Sequence, residues 1–373
     1  SLYDFHGSNP VSFRLTGMAE SGHLATRRWF YLIPQAGEPR ALVHAIERYN
    51  LDHLPGSKIV YAGHTQLQAG LRALLEGQRR VAMEYSPNCA IPYVSRVDAG
   101  TIELVRALGV DVVSSGDLIQ QFEARWNDAQ LATHRAASEK LYRIKDQAYA
   151  EVTRRLRAGI PTTEYDIQQQ MVGWFKDEGL VADSAPCVSA QENAGNPHYL
   201  ASAASHRAIN PNELVLLDLW GKLATPGAVY ADITWMGFTG ATVPDKFARA
   251  FAAIAAARDA AVTTVQSGAA AGRDVRGFEA DAAARKVLIE AGYEDGIMHR
   301  TGHSLGENVH GNGAHLDDYE THDERRLIPG SGFTIEPGLY YPDFGVRTEI
   351  NMVWTARGPE VTGPRQNAIL SLL

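Results

Sequence analysis

The order of apolar runs along this chain predicts two domains: a smaller α/β domain over residues 1–122 and a larger α+β domain over residues 123–373. Three observations predict it. The 373 residues exceed what a single core usually organises. Short apolar runs alternate with helix-spaced segments in the first third, then give way to long helices and separate β-rich stretches. Hydrophobic residues make up 45% and charged residues 21%, the balance of an ordinary globular protein rather than a disordered or fibrous one.

In the first part, residues 29–33, 58–61 and 81–84 read as strands. Residues 39–49 and 66–75 carry helix-like apolar spacing, and a further helix over 99–108 leads to a short strand at 110–113. In the second part a long helix is expected over 128–157, stopped by Gly159 and Pro161. Thr163 then caps a helix that ends near Gly179. Residues 214–220, 228–239, 332–336 and 345–354 are β-rich, while 244–266 and 275–291 read as Ala-rich amphipathic helices.

Charge and cysteine content narrow the function classes. A formal net charge of -8 and a pI of about 5.9 argue against nucleic-acid and anionic-membrane partners, which favour basic surfaces. No apolar run is long enough to span a bilayer, and residues 1–10 lack the apolar stretch of a signal peptide. Cys89 and Cys187 lie far apart with no CxxC or Cys/His cluster, so neither a zinc knuckle nor a redox pair is expected. A cytoplasmic location fits this usage.

The chemistry concentrates in the second part. Four apolar residues lead directly into Asp218, and the next strand repeats the pattern around Asp232, with residues 221–227 as the hairpin connection. Asp218 alone reads as a turn cap. Two inward carboxylates on neighbouring strands repel unless a cation lies between them. Glu336 ends a third β-run at Pro337-Gly338, and Glu349 sits in a fourth. His299, His303 and His310 cluster in one Gly-bearing segment. Hard carboxylate oxygens with one or two imidazoles suit Mn²⁺, Co²⁺, Zn²⁺ or Fe²⁺.

Asp218, Asp232, His303, Glu336 and Glu349, in this order and with the flanking words LLDL, YADIT, HRTGHSLG, TIEPGLY and GVRTE, resemble the five metal ligands of the M24 metallopeptidases. The chain is similar to the proline-specific members, the Xaa-Pro aminopeptidases and Xaa-Pro dipeptidases (prolidases). That resemblance implies a pita-bread α+β catalytic domain preceded by a creatinase-like N-terminal domain. It implies two divalent metal ions, manganese first, with cobalt, zinc or iron as alternatives, and a bridging water or hydroxide that attacks the N-terminal Xaa-Pro bond of short peptides. Asp232 and Glu349 should bridge the metals, Asp218 complete one of them, and His303 with Glu336 the other. Glu336 should also act as general base, with His310 and His198 as the other catalytic groups. His198, His299, His310, Tyr230 and Arg347 match substrate-binding positions, and Thr234 a supporting one. The partners expected are short proline-containing peptides and a second copy in a homodimer.

The chain departs from the family in three places. The Asp218–Asp232 connection is longer by about three residues, an insertion expected in the hairpin turn. Trp235 stands where an arginine commonly follows the Asp-Ile-Thr triplet. No arginine in residues 319–326 aligns with the one that holds a dipeptide's carboxylate in prolidases. Two rival readings remain: a metal-dependent lyase or non-peptide hydrolase on the same fold, and a serine hydrolase using Gly302-His-Ser-Leu-Gly306. The serine reading needs a strand before the serine and a helix after it, and the polar, glycine-rich residues 307–313 make a poor helix.

Overall fold

Alternation of strand and helix organises the first of two units, Ser1–Glu123 and Ala124–Leu373, in the computed structural model, which describes residues 1–19 and 21–373. Unit one contains β1 (Leu2–Asp4), α1 (Pro10–Leu15), β2 (Trp29–Leu32), β3 (Arg40–His44), β4 (Ser57–Tyr61) and α2 (His64–Leu74). β5 (Arg80–Met83), α3 (Ala99–Arg106), β6 (Asp111–Ser114) and α4 (Gly116–Glu123) complete it. Strands β1-β2-β3-β4 form one sheet, with β3 and β4 parallel, and β5 pairs β6 in parallel.

The helix expected over residues 39–49 is not there. β3 occupies Arg40–His44, followed by a single 3-10 turn at Ala45–Glu47. Ala41, Leu42 and Val43 are consecutive and all buried, because Leu42 packs into one apolar cluster and Ala41 and Val43 into another, on the two faces of β3. A strand covered on both faces reads as a continuous apolar run, which over so few residues cannot be told from a buried helix.

Unit two opens with α5 (Asp128–Arg157) and α6 (Glu164–Asp177). Asn127 caps α5 by accepting from Gln130 N, and Gln130 returns its side chain to Asn127 N. The stop comes at Gly159, whose φ of 65° suits a residue without Cβ. Then follow β7 (Leu180–Val181), β8 (Cys187–Ala190), β9 (Leu214–Leu223), β10 (Ala231–Phe238), α7 (Asp245–Ala270) and α8 (Gly277–Glu290). β11 (Ser304–Leu305), β12 (Gly332–Ile335), β13 (Gly338–Tyr341), β14 (Phe344–Arg347), β15 (Ile350–Thr355), β16 (Gly358–Thr362) and β17 (Leu370–Ser371) close the chain.

One sheet runs β17-β10-β9-β7 with β8 also on β9; another runs β11-β12-β15-β16; β13 and β14 form a hairpin. Apolar residues of α5 and α6, including Leu141, Ile144, Ile167 and Met171, cluster with Leu217, Leu219 and Ile233 of the first sheet. A second core joins Ile254, Val262 and Leu288 of α7 and α8 to Leu216, Phe333, Val346 and Met352. No helix among the described residues is long and apolar enough to cross a membrane. The stretch 345–354 is two strands, β14 and β15, and the break falls at Thr348-Glu349.

Candidate metal centre

The β9–β10 hairpin positions the two aspartates. Asp232 lies opposite Trp220, and Thr234 opposite Asp218. Cross-strand partners and residues two apart share a face, so Asp218, Trp220, Asp232 and Thr234 all rise from one side of the sheet. The connection between the strands occupies residues 224–230. β12 and β15 bring the other acids: Glu336 follows β12 directly, and Glu349 immediately precedes β15. Glu349 N donates to Thr234 O at 3.1 Å, locking the second pair of strands onto the first.

The histidine segment is held against β12. Glu336 N donates to Thr301 O at 2.6 Å, Thr334 N to His303 O at 2.8 Å, and His303 N to the Thr334 hydroxyl at 3.0 Å. Gly302 makes this approach possible, since a Cβ there would lie 2.1 Å from Thr334 O. His303 Nδ1 stands 3.1 Å from Ser304 O, a carbonyl that can only accept, so Nδ1 carries the proton and Nε2 keeps its lone pair. That Nε2 faces Asp232 Oδ2 at 3.6 Å and Glu336 Oε1 at 3.5 Å.

Asp232, His303 and Glu349 each offer a ligand atom within 4.8 Å of the others, and all three are buried. Glu336 flanks them through His303. Asp218 is turned to Arg347, with which it forms an ion pair. Arg347 also donates to Thr234 Oγ1 at 3.1 Å and to the Tyr340 hydroxyl at 2.8 Å. Tyr340 is 2.7 Å from His299 Nε2, and His299 Nδ1 is 2.6 Å from Arg300 O. Both ring nitrogens of His299 are thus engaged, and burial pushes its pKa down to about 4. Tyr230 is buried, with its N–H on Gly306 O at 2.9 Å. His310 is exposed, its ring 4.4 Å from that of His303. His198 is exposed, its backbone N held by Asn196 Oδ1 at 3.1 Å.

The electrostatics call for a cation. Asp232 Oδ1 and Glu349 Oε1 are buried without a hydrogen-bond partner. Burial first, and then neighbouring carboxylates, push the Asp232 and Glu349 carboxyls well above the usual range. Burial also lowers the His303 pKa, keeping its imidazole neutral. Orphaned hard oxygens beside a neutral imidazole lone pair are the donor set of a divalent ion, and the residues fit one.

Reasoning from sequence missed several groups that shape this site. Asn351 accepts from Asp232 N at 3.0 Å and donates back to Asp232 O. It stands two residues beyond Glu349, a spacing that could have signalled a shared strand face. Thr334 (3.2 Å from Glu336 Oε1), Tyr340 and the buried Asp281, which accepts from Thr301 N at 2.9 Å, were also missed. Cys187 sits opposite Asp218 in the β8–β9 ladder.

The serine-hydrolase geometry is absent. Ser304 lies in strand β11, is 1% exposed, and uses its Oγ to accept from Gly313 N at 3.0 Å. Bends rather than a helix follow it. In the 319–326 segment, Arg325 is buried and committed to Asp323 (2.6 and 2.9 Å) and to Asn312 O.

Comparison with known proteins bears on the family and the fold. The model of metallopeptidase family M24 matches residues 136–356, more than half of the chain. The "Probable dipeptidase PepE" of Mycobacterium tuberculosis is 28% identical over 259 residues, covering 69% of this chain and 63% of its own length. The chain therefore spans less than two thirds of that relative. The Xaa-Pro dipeptidase of Lactobacillus delbrueckii subsp. lactis is 32% identical over 204 residues, 54% of this chain and 49% of that one. Among solved structures, dipeptidase PepE from Mycobacterium ulcerans superposes with a TM-score of 0.65 at 25% identity, covering 93% of this chain and 87% of that one. The X-Pro aminopeptidase of Thermotoga maritima shares the fold with a TM-score of 0.58 at 18% identity, over 99% and 97% of the two chains. The expected α+β pita-bread architecture is therefore observed, and the chain belongs to metallopeptidase family M24.

Proposed function

We propose that this protein is a divalent-metal peptidase that hydrolyses the N-terminal Xaa-Pro bond of short peptides. The observation that carries the reading is the pair of orphaned buried oxygens, Asp232 Oδ1 and Glu349 Oε1, beside the His303 lone pair. Asp218, Asp232, His303, Glu336 and Glu349 would hold two metals, with Asp232 and Glu349 shared. Manganese is the first choice, and cobalt, zinc or iron suit the same donors. When bound, such a pair lowers the pKa of a water and polarises the scissile carbonyl.

The chain's own groups do the rest. Glu336, oriented by the Thr334 hydroxyl 3.2 Å from Oε1, takes the proton released during attack. His310, beside His303, donates to the developing oxyanion, and the exposed His198, near enough for its charge to act on His310, would contact the substrate. Arg347 holds Asp218 in place and ties it through Tyr340 to His299. Because Arg325 is locked to Asp323, it is not offered to the terminal carboxylate of a dipeptide. That favours Xaa-Pro-Yaa peptides over Xaa-Pro dipeptides, an aminopeptidase preference.

The test is one assay series on manganese-loaded protein, comparing Ala-Pro with Ala-Pro-Ala, before and after chelation. The expected result is turnover that favours the tripeptide and is lost on chelation and in His303→Ala and Glu336→Ala. Activity that persists in either variant, or Xaa-Pro peptides left intact while another substrate turns over, would overturn the reading.

A further inference from the structure

Beside the metal cluster stands a carboxylate that the proposed mechanism does not use. Asp183, in the connection between β7 and β8, is exposed, and its Oδ1 accepts from the Trp220 indole N–H at 2.6 Å. Trp220 is the direct cross-strand partner of Asp232. The two side chains rise from one face, with Cβ atoms about 5 Å apart by strand geometry. The indole therefore ties Asp183, itself exposed, to the strand face that carries Asp232. Its charge lies near enough to act on Tyr230, Asp232 and His310, although burial is the larger influence on each of them.

Among the described residues no cation neutralises this carboxylate. Its Oδ2 accepts no hydrogen bond and meets no cation within ion-pair distance among the described residues. Lys222, which shares the strand face, is engaged elsewhere: its ammonium donates to Glu307 O at 2.6 Å and lies 5.2 Å from the Tyr230 ring centre. Trp220, hydrogen-bonded to it, and Tyr230, close enough to be influenced by it, are aromatic neighbours that suit an alkyl chain ending in a positive charge.

The geometry points to Asp183 as a specificity-determining residue that binds a primary ammonium on the first residue of the peptide, held at its position by the Trp220 indole. This deepens the peptidase reading and rests on it. The ammonium has two sources, a basic side chain or the peptide's own N-terminus. Asp183 is exposed and bonded to the cross-strand neighbour of Asp232 rather than to Asp232 itself, which favours the side chain, so a first residue such as lysine should be preferred over its neutral isostere.

The experiment compares Lys-Pro-Ala, norleucyl-Pro-Ala and hexanoyl-Pro-Ala, which lacks the α-amine. Relative kcat/KM is measured in the manganese-loaded wild type, Asp183→Asn and Trp220→Phe. Dissociation constants for the same ligands are measured by calorimetry with and without Asp183→Asn in a Glu336→Gln background, so the result does not depend on turnover. In the wild type, lysine should be preferred over norleucine by about two- to fivefold, the range of an exposed ion pair, and less at high salt. Asp183→Asn should bring that ratio to about one, and Trp220→Phe should reduce it, while the norleucyl-to-hexanoyl ratio holds. If the norleucyl-to-hexanoyl ratio collapses instead, the ammonium subsite stands and its source is the N-terminus. If neither ratio moves, in turnover or in binding, the inference is wrong. Binding ratios that depend on Asp183 without any Xaa-Pro cleavage would support the subsite and overturn the peptidase reading instead.

Discussion

Lowering the pH from about 7.5 to about 4.5 should cost the wild-type protein about 2.5 kcal/mol more stability than it costs a His134→Gln variant. His134 is fully buried in α5. Its Nδ1 is 2.8 Å from Tyr230 O, which can only accept, so Nδ1 donates and Nε2 accepts from the Thr362 hydroxyl at 2.8 Å. Burial, partly opposed by the Tyr230 carbonyl, pushes its pKa down to about 4. An unfolded histidine takes its proton near pH ~6.5, so between these values the unfolded chain binds more protons than the native one. The stability is therefore complete above the unfolded pKa and is lost as pH falls toward the native one. At about pH 4.5 about three quarters of the native side chain but only about one per cent of the unfolded one is still neutral, a ratio of roughly 75 and hence about 2.5 kcal/mol. Urea unfolding of both proteins at the two pH values measures the difference, and an NMR titration of the His134 ring checks its cause. Equal pH slopes in the two proteins, or a ring that titrates at its ordinary value, would refute the reasoning.

Two further outcomes follow from the same geometry. Glu349→Gln keeps an acceptor for the Thr234 hydroxyl (2.8 Å in the wild type) but removes one of the crowded carboxylates. The metal-free variant should be more stable by about 1–2 kcal/mol. It should also lose the roughly 2.7 kcal/mol that metal at a hundredfold excess over its dissociation constant confers. Thermal unfolding with and without Mn²⁺ reads both effects, and an undiminished metal-induced shift in the variant would count against Glu349 as a ligand. Gly345→Ala should cost about 3 kcal/mol or more, because a Cβ there would sit 1.8 Å from Ala194 O, backbone that cannot move aside. Wild-type stability in that variant would mean that β14 and the turn Gln191–Gly195 pack less closely than described.

Much of the architecture was legible because its signals are local. The helix Asp128–Arg157 carries its own cap at Asn127 and its own stop at Gly159. The Thr163 cap of α6 forms with Asp166, three residues on, as a capping box requires. The fourth β-run was legible as β, but not its division at Thr348-Glu349, because the break comes from Glu349 N pairing with Thr234 O on β10. Residues 39–49 misled for a related reason: whether Ala41 to Val43 pack as a strand depends on β2 and β4 lying on either side.

The residues of the candidate site divide in the same way. The chain by itself determined which side chains carry the chemistry, since two aspartates, two glutamates and a histidine cluster stand out within apolar runs that would otherwise exclude them. Only the tertiary structure decided their partners. It turned Asp218 to Arg347, 129 residues away, while Asp232 and Glu349 kept buried oxygens without one. It also closed His299 into a chain with Tyr340 and set Asp183 at the end of the Trp220 indole. Apolar periodicity records which residues leave water and is written within each element. Ion pairing and desolvation depend on which groups arrive from distant elements, and that is settled only when the β9–β10 and β12–β15 pairs meet.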